Sequence, residues 1–199
     1  IEKFGYPLVI KPIDGNHGKG NTTNISNREQ ALKAFEAAKA YSRSVIVERF
    51  ITGFDFRCLV INNKFICAAL RTPASVVGDG RHSIQWLIDE TNKDPRRGFG
   101  HEKVLTQITV DQFTQKMLDD AEITLDHIPS KGERVLLKPT ANLSTGGTST
   151  DVTDEVHPAN IFMFERIARI IGLDICGIDV MATDLLTPVS ENGGAILEV

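Results

Sequence analysis

The order of strand and helix signals constrains the fold of this 199-residue chain more than any other feature of its sequence. Residues 56–61 and 65–70 are apolar strand candidates separated only by Asn62-Asn63-Lys64, a spacing that predicts an antiparallel hairpin. Helix candidates lie on both sides of this hairpin, and strands do not alternate with helices in the regular order of a parallel βαβ sheet. The sequence therefore predicts an α+β protein in which helices pack on antiparallel sheets.

Helix positions follow from capping signals. Residues 26–29, Ser-Asn-Arg-Glu, match a capping box whose N-cap is the serine, and Thr109 with Gln112 matches a second one. A further helix is expected over residues 159–171, with Gly172 as the glycine that follows its end. Behind the first box, four apolar residues share one helix face at helical spacing and are expected to be buried: Ala31, Leu32, Phe35 and Ala38.

The segment from residue 78 to residue 133 is more polar than the rest of the chain. It contains two short helix candidates, over residues 83–90 and 110–118, with a turn at Asp94-Pro95 between them. Because its apolar content is thin, we interpret this segment as an insertion rather than an independent domain.

Composition is that of a soluble globular protein, with 41% hydrophobic and 24% charged residues. The net charge of −4 gives no sign of the basic excess typical of nucleic-acid binding, and no apolar run approaches the roughly 20 residues of a membrane helix. We therefore expect a cytoplasmic protein with no nucleic-acid or membrane partner. Its cysteines, Cys58, Cys67 and Cys176, are odd in number and widely spaced, which predicts free thiols rather than disulfides or a zinc site.

The first candidate site is Lys11 with the glycine-rich loop over residues 14–20, Asp-Gly-Asn-His-Gly-Lys-Gly. Glycines let the backbone approach an oligophosphate and direct N–H groups at it, and a neighbouring lysine adds a point charge. The spacing is not that of the P-loop. An ordinary flexible turn beside a surface lysine is the alternative, and the loop alone does not decide between them.

The second candidate lies around the next apolar strand. Glu48 ends that strand, and Asp55 and Arg57 follow on another strand at alternate positions, so that they share a face. Such a set suits a polar ligand, whereas the alternative is a surface ion pair of little energetic consequence.

The third candidate is a pair of carboxylates inside apolar strands. Asp179 lies within residues 177–181 and Glu198 within residues 195–199. Carboxylates in such positions are costly unless they are paired or bind a cation, so the pattern indicates a site for Mg²⁺ or Mn²⁺. The alternative is that both point to the solvent side of a sheet.

The fourth candidate is the loop over residues 142–148, Asn-Leu-Ser-Thr-Gly-Gly-Thr, whose hydroxyl and backbone donors suit a carboxylate or a phosphate. A structural turn is an equally good interpretation of its composition.

Taken in this order, the segments resemble the ATP-grasp carboxylate–amine ligases, and within them the cyanophycin synthetase family. The stretches that carry the resemblance are residues 14–20, 92–105 and 142–147, followed by Asp-Val-Thr-Asp-Glu-Val-His-Pro at 151–158. The nearest alternative is the bifunctional glutathione synthetases, which share a Gly-Asp-Gly turn, here at residues 78–80. A non-catalytic nucleotide-binding module is a third reading, which the retention of both acidic residues disfavours.

The resemblance implies an ATP-grasp fold of two lobes with the nucleotide between them. Residues 1–53 are then the smaller, nucleotide-binding lobe and residues 54–199 the larger lobe with the insertion. It also implies the reaction: ATP phosphorylates the C-terminal carboxylate of a cyanophycin or polyaspartate primer, and L-aspartate is added with release of ADP and phosphate.

Site roles are also implied by the resemblance. Arg57, Arg71 and His17 are the candidates for acylphosphate stabilisation, and Asp179 and Glu198 match ligands of Mg²⁺ or Mn²⁺. The substrate-binding candidates are Asn142, Ser144, Gly146 and Gly147. The ATP-binding positions are Lys11, Asn16, His17, Gly18, Lys19, Gly20, Glu48, Arg49, Phe50, Ile51 and Asp55.

The resemblance is incomplete at both ends. A third metal-ligand position falls two residues after Glu198, and a preceding nucleotide-contacting lobe is missing. We therefore expect the chain to be part of a longer, homo-oligomeric ligase, and the isolated 199 residues to turn over little or no ATP.

Overall fold

The structure is a computed structural model that describes residues 4–14, 19–100 and 102–199. His17, together with Asn16 and Gly18, lies outside the described residues. The chain folds into two compact units, Ile1–Thr52 and Gly53–Val199.

Within its described residues, the first unit contains three strands and one helix: β1 (Leu8–Pro12), β2 (Thr22–Ile25), α1 (Arg28–Lys39) and β3 (Val45–Arg49). The strands form an antiparallel sheet in the order β2-β1-β3. One face of this sheet packs on α1, and the buried residues of this core are Leu8, Ile10, Ile25, Ala31, Ala34 and Ala38.

The capping box of α1 is displaced by one residue from the predicted position. Asn27, not Ser26, is the N-cap residue, and its side-chain oxygen accepts a hydrogen bond from the Gln30 N–H at 2.9 Å. The Gln30 side chain in turn accepts from the Ser26 N–H at 2.9 Å. Asparagine is as good an N-cap as serine, so the neighbouring partner at the third position decided which residue caps the helix.

The predicted buried face of α1 is wrong at two positions. Leu32 and Phe35 are 56% and 39% exposed, whereas Ala34 is buried. The helix rests on the sheet through a stripe of alanines, whose small side chains let the helix backbone approach the strands. The small size of the alanines, which allows the helix to lie close to the sheet, therefore determined which face of α1 is buried, and hydrophobicity alone did not.

The second unit contains nine strands and three helices in its described part. They are β4 (Phe54–Ile61), β5 (Lys64–Thr72), β6 (Ser75–Val77), α2 (Ile84–Thr91), β7 (Arg97–Gly98), β8 (Leu105–Thr106), α3 (Gln112–Asp120), β9 (Arg134–Leu136), β10 (Thr148–Asp151), α4 (Pro158–Ile171), β11 (Ile175–Ala182) and β12 (Ala195–Glu198).

Five of these strands form an antiparallel sheet in the order β10-β5-β4-β11-β12. The predicted hairpin of β4 and β5 is confirmed, and its turn places both Asn62 and Asn63 in the left-handed region, at φ 49° and 59°. Asparagine tolerates that conformation, which is why a turn without glycine closes the hairpin. The α+β prediction is therefore confirmed.

One face of the five-stranded sheet packs against α4. Alternate residues of β4 and β11 point into this core, as the two-residue period of a strand requires. The central residues are Phe56, Cys58, Val60, Phe164, Ala168, Cys176, Ile178 and Val180. The predicted end of α4 is confirmed, since Gly172 follows it in the left-handed conformation at φ 78°.

The polar segment after β5 has a buried core of its own. Nine residues from 74 to 137 form it: Ala74, Val76, Ile84, Leu87, Ile88, Ile108, Leu118, Val135 and Leu137. Five of them lie within residues 78–133, so apolar residues that are dispersed in its sequence come together in a core. The interpretation of this segment as an insertion stays a prediction. The helix α3 is capped by Asp111 rather than by Thr109, since the Asp111 carboxylate accepts from the N–H groups of Phe113 and Thr114.

No helix in the described ranges is both long enough and apolar enough to cross a membrane.

Candidate functional site

The face of the five-stranded sheet opposite α4 carries a cluster of charged side chains. The strand register sets Asp55 opposite Arg71 and Arg57 opposite Asp179. Residues at odd positions of β4 and β11 share this face because even positions fill the core. Register and alternation together therefore bring two arginines and two aspartates into one patch.

Hydrogen bonds join these four side chains into one network. Arg71 donates to Oδ1 of Asp55 through both Nε, at 2.8 Å, and Nη2, at 2.5 Å, so two N–H groups share one carboxylate oxygen. Arg71 Nη2 also lies 3.1 Å from Asp179 Oδ2. Arg57 Nη1 donates to Asp179 Oδ1 at 2.5 Å. Asp179 is thus held between two guanidinium groups.

Burial shifts the ionisation of this network. Removal from water raises the pKa of Asp55, and the hydrogen bonds and charge of Arg71 offset part of that rise. Burial also acts to lower the pKa of Arg71, but Asp55 and Asp179 outweigh it and the net shift is upward. Arg71 therefore remains charged and holds Asp55 and Asp179 in place.

Gly177 provides the room that Arg57 occupies. A Cβ atom at this position would lie 2.6 Å from Cζ and 2.8 Å from Nε of Arg57. The guanidinium group therefore lies over the Gly177 backbone, one alternate position before Asp179 on β11. Sequence analysis did not identify this glycine, because its role depends on the register between β4 and β11.

In the first unit, Lys11 and Glu48 form an ion pair on the sheet face away from α1. Lys11 Nζ lies 2.7 Å from Glu48 Oε2, and the two side chains are 32% and 41% exposed. Ion pairs with this exposure contribute only about 0–1 kcal/mol to stability. Both groups are therefore available to rearrange around a charged ligand at little cost.

The other predicted nucleotide-binding positions of the first unit lie at the ends of its strands. Arg49 is the last residue of β3, and the N–H of Phe50 donates to the Pro7 carbonyl at 3.1 Å. Ile51 is half-buried. Gly20 has φ 71°, and a Cβ there would lie 2.7 Å from the ring of Tyr41. Lys19 precedes it in the same turn.

The predicted substrate loop lies in the second unit. Leu143–Thr145 form a single 3₁₀ turn, preceded by Asn142 and followed by Gly146 in the left-handed conformation at φ 94°. Ser144 is exposed on this turn. A Cβ at Gly147 would lie 2.7 Å from the Thr72 carbonyl oxygen, so the chain passes too close to β5 for a larger residue.

Comparison with known proteins shows what the chain is similar to. It is 54% identical over 197 residues to a cyanophycin synthetase from Crocosphaera subtropica and 52% identical over 195 residues to one from Trichormus variabilis. Each alignment includes 98% of this chain but only 23% and 22% of the relative. The chain therefore spans less than a quarter of the length of these relatives. Bifunctional glutathione biosynthesis proteins are 34–36% identical.

A family model described as the C-terminal part of D-Ala–D-Ala ligases matches residues 1–81. Among solved structures, a bifunctional glutathione synthetase from Pasteurella multocida superposes with a TM-score of 0.68 at 35% identity, over 96% of this chain and 26% of that one. The chain has the ATP-grasp fold.

The ATP-grasp fold implies a divalent cation, and the carboxylates described above fit one. Asp179 and Glu198 lie opposite each other on β11 and β12, as expected from their strands. No group of three metal-ligating side chains gathers within the described residues. Two carboxylates suit Mg²⁺, which keeps several waters and takes its other oxygens from phosphates. A carboxylate has about four lone-pair sites, so the two arginines on Asp179 do not exhaust it.

Sequence reasoning missed two residues in addition to Gly177. Ser149 lies opposite Arg71 in the sheet and adds a polar residue beside the charged network, on β10. Arg97 is buried beside the loop over residues 142–147 and donates to the carbonyl of Gly146, 49 residues later in sequence. The motif that contains Arg97 carried the family resemblance, but its spacing gave no role because the contact is long-range.

Proposed function

We propose that the chain is the ATP-grasp domain of a cyanophycin synthetase, an ATP-dependent ligase that adds aspartate to the backbone of the polymer. Its carrying observation is the 49–54% identity to cyanophycin synthetases along 98% of the chain, against 34–36% for the glutathione proteins. The four-residue charged network on the sheet provides groups of the kind that phosphoryl transfer requires.

The proposed reaction has two steps. The C-terminal carboxylate of the primer attacks the γ-phosphorus of ATP, the bond to the bridging oxygen breaks, and ADP leaves. The amine of aspartate then attacks the acyl carbon, phosphate leaves, and the nitrogen loses a proton to give the amide. Both steps rely on positioning and on neutralisation of negative charge.

In the second unit, Arg57 and Arg71 are proposed to neutralise charge on the acylphosphate. Asp179 and Glu198 would hold Mg²⁺ or Mn²⁺, which when bound supplies positive charge to the phosphate oxygens. Asp55, fixed by Arg71, is proposed to accept hydrogen bonds from the ribose. Asn142, Ser144, Gly146 and Gly147 form the proposed loop for the substrate carboxylate. The exposed side chains of Asn142 and Ser144 are its proposed donors, because the N–H groups of the buried Gly146 and Gly147 donate to carbonyls of the loop itself.

In the first unit, Lys11 is proposed to contact the nucleotide, and Glu48 to Ile51 to provide the segment read by adenine, through backbone groups of Arg49 and Ile51. Residues 14–20, among them His17, are proposed to close on the β- and γ-phosphates. The exposed Lys11–Glu48 pair supports this role because exchanging one charged partner for another costs little.

Substrate choice tests the proposal. With the protein in its full natural length, we expect ADP release that requires L-aspartate together with a cyanophycin or polyaspartate primer. Glycine with γ-glutamylcysteine, the dipeptide that lacks only the glycine of glutathione, should give background rates. ADP release that depends on glycine and the dipeptide, with none from aspartate and primer, would establish the glutathione alternative instead. The absence of ATP turnover with both pairs would favour a non-catalytic nucleotide-binding module.

A further inference from the structure

Arg97 is a buried charged residue that the proposed reaction leaves without a role. Only 6% of its surface is exposed. It lies in β7, which pairs in parallel with β8, and its Nη1 donates to the carbonyl oxygens of Thr106 at 2.6 Å and Gly146 at 3.0 Å. Arg97 thus links the polar segment after β5 to the substrate loop.

No carboxylate in the described part of the chain forms an ion pair with Arg97, although the charge of Asp94 offsets part of the cost of burying it. The nearest candidate, Asp94, is bound by Arg96 through both carboxylate oxygens. Lys138, another buried cation, differs in having Asp111 at 2.7 Å. Burial lowers the pKa of Arg97. Because a buried charge without an ion-pair partner is costly, its presence here indicates a use beyond packing.

Arg97 fixes the orientation of one peptide group in the loop. The carbonyl of the Gly146–Gly147 peptide accepts from Arg97, and the N–H of the same peptide donates to the Asn142 carbonyl at 3.1 Å. The Gly146 carbonyl oxygen therefore points at the guanidinium group. If it pointed at a bound carboxylate instead, the two negatively polarised groups would repel each other. Held at both ends, this peptide cannot rotate without breaking a hydrogen bond.

Asn92, five residues before Arg97, also supports the loop, through Ile108. The Asn92 side chain donates to the Ile108 carbonyl at 2.8 Å and accepts from the Ile108 N–H at 2.8 Å. Ile108 in turn packs under Gly146, where a Cβ would lie 2.8 Å from its Cγ1. Asn92 and Arg97 thus hold two sides of one loop.

We propose that Arg97 is a positioning residue that sets the loop over residues 142–147 in the geometry that binds a substrate carboxylate. The proposal rests on the ligase function proposed above and identifies a determinant of its carboxylate substrates. It assigns two residues of the motif over residues 92–97, Asn92 and Arg97, to support of the loop.

Two substitutions and one control test this role in the protein in its full natural length. Arg97→Met removes the charge and both hydrogen bonds, whereas Arg97→Lys keeps the charge on a single, differently placed donor group. Arg96→Met is the matched control, because Arg96 is exposed and contacts Asp94 but not the loop. Thermal melting of each variant establishes that it is folded.

We expect Arg97→Met to raise KM for at least one carboxylate substrate, primer or aspartate, at least tenfold while KM for ATP changes less than twofold. Arg97→Lys should fall between wild type and Arg97→Met, and Arg96→Met should match wild type. Unchanged KM values for both carboxylate substrates, or an equal rise in KM for ATP, would overturn the proposal.

A second measurement does not depend on turnover. Backbone hydrogen exchange over residues 142–147 should be at least tenfold faster in Arg97→Met than in wild type and unchanged in Arg96→Met. If the wild type used neither substrate pair, the ligase function would be contradicted, while exchange would still report whether Arg97 holds the loop. Identical exchange in wild type and Arg97→Met would overturn the positioning role.

Discussion

Arg57 reaches Asp179 across the backbone of Gly177. The space that a side chain at residue 177 would fill is taken by the guanidinium group, whose Cζ lies 2.6 Å from where a Cβ would stand. The absence of a side chain at one residue therefore determines where a charge lies on the neighbouring strand. A single methyl group at this position is enough to disturb the network.

Gly177→Ala should lower activity without unfolding the protein. The added methyl group displaces the Arg57 side chain from Asp179, but the displaced group is the flexible end of a half-exposed side chain, so the fold should survive. We expect aspartate-dependent ADP release to fall on the order of 100-fold, as when one electrostatic donor is lost from an active site. Steady-state kinetics and thermal melting measure the two quantities.

The control is Ile175→Ala, on the same face of β11 two residues earlier and 69% exposed. It should leave activity near that of wild type. Wild-type activity in a folded Gly177→Ala variant would show that Arg57 does not need its observed position.

Among the helices, α3 depends on a buried cation. Lys138 is 2% exposed, and its ammonium group has three acceptors: the Thr109 carbonyl, Thr114 Oγ1 and Asp111 Oδ1. Asp111 also caps α3. One carboxylate therefore satisfies a helix end and a buried charge together.

This arrangement has a pH dependence of known sign. Burial acts to raise the pKa of Asp111, but hydrogen bonds from Lys138 and the helix N–H groups outweigh it, and the pKa falls below 3.8. A carboxyl group with a lowered folded-state pKa contributes stability above its unfolded-state pKa and loses it as the pH falls through the folded-state value. The contribution should therefore be complete at pH 7 and be lost as the pH falls below the ordinary aspartate value and through the lower folded-state pKa.

Asp111→Asn tests this element. The amide still caps the helix but leaves Lys138 without a counter-ion, so the free energy of unfolding at pH 7 should fall by about 1–2 kcal/mol, discounted because the carboxylate is partly exposed. The difference from wild type should shrink toward zero as the pH drops from neutrality through the folded-state pKa of Asp111. Trp86, the single tryptophan, lies in α2 and reports unfolding of this region by fluorescence in urea.

Asp120→Asn is the matched control on the same helix, because Asp120 pairs with Lys116 where both side chains are more than 60% exposed. Its effect should be under about 0.5 kcal/mol. An equal loss from both substitutions, or a loss from Asp111→Asn that persists at low pH, would contradict the account.

Elements with local signals were predictable from the sequence, and those built by distant pairing were not. The hairpin of β4 and β5 and the end of α4 at Gly172 follow from residues within a few positions of each other. The two-residue strands β7 and β8 depend on Arg97 and Thr106 meeting a loop around residue 146, for which no local pattern exists. The N-caps of α1 and α3 could not be assigned from sequence for another reason. Neighbouring residues were also able to cap, and side-chain geometry determined that Asn27 and Asp111 do so.

The candidate site divides in the same way. Alternation along β4 predicted that Asp55 and Arg57 share a face, and the apolar strands around Asp179 and Glu198 predicted carboxylates on neighbouring strands. Arg71 and Gly177 complete the network through cross-strand register. Register depends on the whole sheet, so the partners of a charged residue could be named only once all five strands were in place.

For the molecule as a whole, the proposed function requires residues from both units. Each unit has its own core, and each carries part of the residue set assigned to the reaction. The chain is under a quarter of the length of the cyanophycin synthetases it resembles, so its activity is to be measured in the full natural length. The proposed reaction depends on the formation of an acylphosphate from the C-terminal carboxylate of the polymer.

Isotope transfer tests that claim most directly. A primer whose C-terminal carboxylate is labelled with ¹⁸O is incubated with the full-length protein, ATP and aspartate, and the released phosphate is analysed by mass spectrometry. Attack of the carboxylate on ATP predicts one ¹⁸O atom in the phosphate released at the first addition to each primer, because the acyl–oxygen bond breaks when the amine attacks. Phosphate from later additions is unlabelled, since those start from the carboxylate of the aspartate just added, so the measurement is made at no more than one addition per primer. Aspartate incorporation with unlabelled phosphate would contradict the account.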